Sequence, residues 1–172
     1  SHKFLTQAAA AWLKKSLKKV NLVTCHLGNG SSLAAVKNGE CLDTTMGLTP
    51  LDGLIMGTRC GRVDPGVIFF LAKHGYTIDE IDTLLNKESG FQGLAGVKGG
   101  DSRDVVAKAE AGDLDALEAL EAFGHRTALY VGGYNTLVGG ADAIVMAGGI
   151  GENASELREQ IVKRLGALGV KL

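Results

Sequence analysis

Two glycine-rich turns, each set directly after a short apolar run, constrain this chain more than any other feature. The first, His26-Leu27-Gly28-Asn29-Gly30-Ser31-Ser32, follows the run Val20 to Cys25; the second, Gly148-Gly149-Ile150-Gly151-Glu152-Asn153, follows Ala143 to Ala147. Both runs read as buried strands. A strand that stops in glycines presents successive backbone N–H groups at close approach, and such groups suit phosphate oxygens. The second turn also opens a helical segment, Glu152 to Leu165, whose N-terminal dipole favours an anion. Two such turns in one chain point to a nucleotide site. Their spacing matches neither the dinucleotide fingerprint nor the P-loop, since no Gly-Lys-Ser/Thr follows.

Composition narrows the class. A chain of 172 residues with 45% hydrophobic content and mixed charge fits one globular domain with a substantial core. A net charge of −1 and few aromatic residues give no footprint for nucleic acid or an anionic membrane. No apolar stretch is long enough to span a bilayer. The three cysteines, Cys25, Cys41 and Cys60, lack CxxC spacing and read as reduced thiols, which fits a cytoplasmic protein. The 25 glycines, about twice ordinary usage, sit at strand ends and turns rather than in a linker.

Along the chain, the pattern predicts a helix over Phe4 to Leu17, with Phe4, Ala8, Ala11, Trp12 and Leu17 available to one face. Strands follow at Val20 to Leu27, Ser32 to Lys37 and Glu40 to Thr45, the last two joined by the hairpin signal Asn38-Gly39. Met46 to Asp64 is irregular and glycine-punctuated, the mark of a functional loop. Pro65 opens a helix through Lys73, Thr77 caps Ile78 to Asn86, and Gly90 to Gly100 reads as loop. Asp101 or Ser102 starts a further helix, and Asp113 starts a long one to about Val138. A strand over Ala143 to Ala147, a helix, and a short strand near Gly169 to Leu172 complete the order. An antiparallel start followed by a βαβ crossover implies a mixed sheet with helices on its faces.

Several stretches carry a family resemblance together: Ser1 to Lys3, Thr24 to Ser32, Asp43 through Arg59, Val63-Asp64-Pro65, Lys87 to Gly90, and Gly148 to Asn153. On these the chain resembles the C-terminal portion of the acetate kinases, members of the acetate and sugar kinase, Hsp70 and actin superfamily. The resemblance implies an α/β, actin-like or ribonuclease H-like fold. It also implies that residues 1–172 are a single C-terminal, nucleotide-binding fragment, without the N-terminal domain and the extreme C-terminus. The implied activity is reversible transfer of a phosphoryl group from ATP to acetate, giving acetyl phosphate and ADP, with Mg2+ and as a homodimer. The isolated fragment is expected to be inactive, since half of the cleft is missing.

The resemblance also assigns roles. Gly28, Asn29 and Gly30 approach the ATP phosphates, with His26 lining the cleft; the same residues also make a tight hairpin turn. Arg59, bracketed by Gly57 and Gly61, holds acetate and stabilises the phosphoryl group in flight, a role suited to a permanently charged, bidentate guanidinium. His2 is a stabilising donor near that group. Pro50 belongs to the pocket for the acetate methyl, or is a plain turn proline. Asp101, Ser102 and Arg103 contact adenosine, although a helix cap explains the same residues. Gly149, Ile150, Gly151, Glu152 and Asn153 contact adenosine and the α-phosphate.

Cys60-Gly61-Arg62 departs from the commoner Ser-Gly-Asp of the family, placing a cation where relatives carry an acid. Asp43 and Asp64 have no spacing that makes a metal pair, and the Mg2+ ligands are expected outside this chain. No residue reads as a covalent nucleophile, so the implied chemistry is direct in-line transfer. A propionate or butyrate kinase would share these motifs. A nucleotide-binding module of the actin or Hsp70 kind shares the turns but has no use for the Met56-Gly57-Thr58-Arg59 segment.

Overall fold

The structure is a computed structural model that describes residues 1–170. At its centre lies a four-stranded mixed sheet, ordered β3-β2-β1-β4. β1 (Leu22–Leu27), β2 (Ser31–Lys37) and β3 (Glu40–Thr44) form an antiparallel meander, and β4 (Ala143–Ala147) joins β1 in parallel. The mixed sheet expected from the sequence is the one found. Asn38 and Gly39 are both left-handed, with φ of 54° and 78°, the backbone of a type I′ hairpin.

Alternation along β1 explains its unbroken apolar run. Val23, Cys25 and Leu27 face the main core, where they meet Phe123 and Val131 of the long helix α6 (Leu114–Val138). Leu22 faces the other way and packs with Ala10, Val20 and Val36 under α1 (His2–Trp12). With a helix on each face, β1 has no solvated side and needs no polar alternation. The thiol of Cys25 is fully enclosed, and that burial pushes its pKa up to about 12.

Between β3 and β4 come α2 (Gly66–Lys73), α3 (Ile78–Lys87), α4 (Gly90–Ala95) and α5 (Ser102–Glu110), followed by α6. Thr77 and Glu80 form a reciprocal capping box, the Thr77 backbone N–H donating to Glu80 at 2.8 Å. Asp101 and Asp113 cap α5 and α6 through their side chains. After β4 come α7 (Gly148–Asn153) and α8 (Ser155–Lys163). Among the described residues, no helix is long and apolar enough to cross a membrane.

Five sequence expectations are corrected. The first helix ends at Trp12 rather than Leu17, because Lys14 turns left-handed at φ 53°. Its buried residues are Thr6 and Ala10, whereas Phe4 and Trp12 are 70% and 80% exposed. Gly90 to Gly100 contains α4, which its two glycines, Gly90 and Gly93, concealed. The helix expected over Glu152 to Leu165 is two helices, broken at Ala154 (φ −99°, ψ 88°). Gly166–Leu168 is a 3-10 turn closed by a left-handed Gly169, so the expected last strand does not begin there. The remainder of that expected strand, 171–172, lies outside the described residues.

Candidate functional site

Both glycine turns leave the sheet at the same end. β1 and β4 run parallel in a register that pairs His26 with Ala147, so the Gly28-Asn29-Gly30 turn and the Gly148-Gly149 turn emerge side by side. The approach is too close for side chains: Gly148 has φ 83°, and a β carbon there would lie 2.5 Å from the Leu27 carbonyl oxygen. Ser31 closes the first turn, accepting from the Gly28 N–H at 3.2 Å and donating to the Gly28 carbonyl at 2.9 Å.

The irregular Met46 to Asp64 segment is pinned against this turn by backbone. The Gly57 N–H donates to the Asn29 carbonyl at 2.9 Å, and the Met56 N–H to the Arg59 carbonyl at 3.2 Å. α4 adds two bonds from its first amides, Phe91 N–H to Met56 and Gln92 N–H to Gly57, at 2.8 and 2.9 Å. A β carbon on Gly57 would overlap the Asn29 side chain, and one on Gly100 would overlap the Gly57 carbonyl. Three segments therefore meet at Gly57, where any side chain would have to displace Asn29. Leu54, Ile55 and Met56 anchor the loop in the interior.

This anchoring carries Arg59 to the first turn. Its Nη1 donates to the Pro50 carbonyl at 2.7 Å, and its Nη2 lies against Gly30. Pro50, Arg59 and Gly30, named from the sequence, are thus brought together. On the far side of the loop, Arg126 of α6 donates to the Arg62 carbonyl at 3.0 Å and reaches the Gly53 carbonyl at 3.5 Å. The Arg62 N–H bonds the same Gly53 oxygen at 3.0 Å, closing the loop on itself. Burial pushes the Cys60 thiol above its ordinary pKa, so it stays protonated beside Arg59.

His2 stands in the first turn of α1, on the face of β1 that also carries His26. Its Nδ1 is 2.8 Å from Thr24 Oγ1 and its Nε2 is 2.9 Å from Ser32 Oγ, so both ring nitrogens have a protein partner. Burial lowers its pKa, with a smaller contribution from His26, which keeps the ring neutral. His26 Nε2 lies beside Gly28, 4.0 Å from where a β carbon would be.

A cavity of about 810 Å³ opens between the two turns. Gly28 and Asn29 line one side, Gly149, Ile150 and Asn153 another, and Asp101, Ser102 and Arg103 a third. That volume lies within the range of small-molecule sites. Asp101 and Arg103 are joined by contacts of 3.0 and 2.6 Å. The guanidinium, together with the Arg103 N–H, lowers the Asp101 pKa to about 2. Glu152 and Asn153 brace the second turn, accepting from the Gly148 N–H and donating to the Gly149 carbonyl, each at 3.1 Å. Gly151 is buried and receives Arg158 on its carbonyl at 3.2 Å.

Sequence reasoning missed Lys98, which also lines the cavity, and Arg126, which holds the loop. Lys98 lay in a stretch read as plain loop, and Arg126 sits within a helix with no motif around it. Among the described residues, no cluster of three His, Cys, Asp or Glu is placed to hold a metal ion.

A mixed sheet flanked by helices, with glycine turns at the ends of two parallel neighbours, is the actin-like fold that its structural neighbours share. The chain belongs to the acetokinase family, whose model matches residues 1–172. It is 49% identical to the acetate kinase of Clostridium novyi over 173 aligned positions, which is all of this chain and 43% of that protein. Among solved structures it resembles Porphyromonas gingivalis acetate kinase, with TM-score 0.94, 39% identity, and coverage of 99% of this chain and 43% of that one. It also resembles a propionate kinase from Francisella tularensis, with TM-score 0.93, 44% identity, and coverage of 98% and 43%. The chain thus spans less than half the length of the relatives it matches.

Proposed function

We propose that this chain forms the nucleotide half of a kinase that phosphorylates a short-chain carboxylate, acetate first among them. One carboxylate oxygen attacks the γ-phosphorus of ATP as the bond to the β,γ-bridging oxygen breaks, giving acetyl phosphate and ADP. The observation that carries this reading is Arg59, held against Gly30 at the phosphate turn. A guanidinium there faces the place where terminal phosphate and acceptor carboxylate would meet. The backbone of Gly28 to Gly30 cradles the phosphates, and His26 borders them. Gly149 to Asn153 and Asp101 to Arg103 enclose the nucleoside side of the cavity. His2, neutral and doubly hydrogen-bonded, holds α1 against the β1–β2 hairpin and acts on the site through it.

Family resemblance also brings Mg2+, a homodimeric state and a cytoplasmic location into the proposal. Among the described residues no three His, Cys, Asp or Glu side chains are grouped to hold a metal ion, and the Mg2+ ligands are taken to lie outside this chain. Phe69 and Phe70 on α2 are 66% and 59% exposed, apolar surface that a second subunit would cover.

Hydroxamate trapping of acetyl phosphate in the full-length enzyme tests the reading. Arg59→Ala should abolish acyl phosphate formation while ADP binding to the chain persists. ATP hydrolysis indifferent to acetate and to Arg59 would instead identify a nucleotide-binding module of the actin or Hsp70 kind. Likeness to the Francisella propionate kinase supports propionate as the second acceptor to assay, with butyrate beside it.

A further inference from the structure

We infer that Lys98 is a phosphate-contacting residue of the nucleotide cavity and binds the terminal phosphates of the nucleotide; this rests on the nucleotide reading above. The charged side chains that line the cavity are Lys98, Asp101, Arg103 and Asp104. Arg103 is engaged by Asp101 in a two-contact ion pair, so its charge is already answered. Lys98 has no carboxylate partner within ion-pair distance among the described residues, and it is exposed to the cavity solvent. It is the cation left over for an anionic ligand. Asp104, at the start of α5, is the opposing charge that such a ligand must avoid.

The backbone fixes where this lysine stands. Gly99 and Gly100 are both left-handed, with φ of 78° and 64°. The Gly99 N–H donates to Gln92 Oε1 at 2.7 Å. The Gly99 carbonyl lies 3.2 Å from the β-carbon position of Gly57, the residue that touches the Asn29 side chain from the same side. Lys98 therefore stands beside the Gly57–Asn29 junction of the cavity, where the phosphate turn is. An ammonium is a compact point charge on a flexible stem, suited to phosphate oxygens without a fixed geometry.

Calorimetric titration of this chain with ADP, ATP and AMP tests the assignment, using wild type, Lys98→Gln and Lys98→Arg. Lys98→Gln should weaken ADP and ATP binding by about fivefold to tenfold, the range of one exposed charge-assisted contact. AMP binding should be unchanged, Lys98→Arg should bind ADP like wild type, and the difference should shrink at high ionic strength. Equal ADP affinity in wild type and Lys98→Gln overturns the role of Lys98 and leaves the nucleotide reading standing. Equal losses for AMP and ADP also overturn it, by placing the lysine away from the terminal phosphates. A wild-type chain that binds no nucleotide overturns both.

Discussion

The guanidinium of Arg59 rests on the α carbon of Gly30: a β carbon at position 30 would come within 3.2 Å of Nη2. The backbone of Gly30 is not left-handed, so alanine is conformationally admissible there, and its methyl would push the guanidinium aside by a few tenths of an ångström. Gly30→Ala should leave stability near wild type and lower acyl phosphate formation in the full-length enzyme roughly tenfold, the scale of a sub-ångström misplacement. Combining it with Arg59→Lys checks the coupling. Fully additive losses would mean that the two residues act separately.

Arg126 fastens the Arg59 loop from outside the cavity. Arg126→Leu removes its bonds to the Arg62 and Gly53 carbonyls and should cost about 1–2 kcal/mol of stability. It should lower kcat and leave nucleotide affinity unchanged, because the phosphate turn has its own support from Ser31. Partial recovery in Arg126→Lys, measured as kcat against KM for ATP, separates loop positioning from a general loss of fold.

Gly100 packs on the Gly57 carbonyl with φ of 64°. Gly100→Ala meets the left-handed penalty, about 1–2 kcal/mol, and a backbone overlap besides. Urea unfolding should show a loss of more than about 2 kcal/mol, and ADP binding should weaken with it. A variant as stable as wild type would mean that the three-segment junction is loose in solution.

His2 gives the fold a pH dependence. Its pKa lies below the ordinary 6.5, chiefly through burial, so the unfolded chain takes up a proton that the folded chain refuses. Stability is therefore full above 6.5, falls as the pH drops through that value, and levels off below the folded pKa. Thermal unfolding across this window should slope downward toward acid in the wild type and less steeply in His2→Gln. Identical slopes would assign the effect to another group.

What the sequence disclosed was local. Asn38-Gly39, the Thr77 and Asp113 caps and the apolar runs of β1 and β4 each carry their conformation in a few adjacent residues, and these elements stand where they were expected. α4 was hidden because Gly90 and Gly93 are there to fit against the Met56 and Glu88 carbonyls, a reason that lies elsewhere in the chain. Phe4 and Trp12 misled for the opposite reason. Apolarity alone does not say which partner a face meets, and α1 buries Thr6 and Ala10 instead. In the site, the turns and Arg59 were legible through motif, whereas Arg126 and Lys98 gain their meaning only from contacts across the fold.

The parallel pairing of β1 with β4 has a final consequence. The separation of the two turns is measured out by main-chain bonds between Leu22–His26 and Ala143–Ala147. Side chains on these strands can be exchanged without touching that ruler, whereas a one-residue slip would turn Val23 and Cys25 out of the core and move the Gly28 turn along the sheet. The gauge for the ligand is thus built into the sheet itself, and drift in sequence leaves it intact for as long as the strands stay in step.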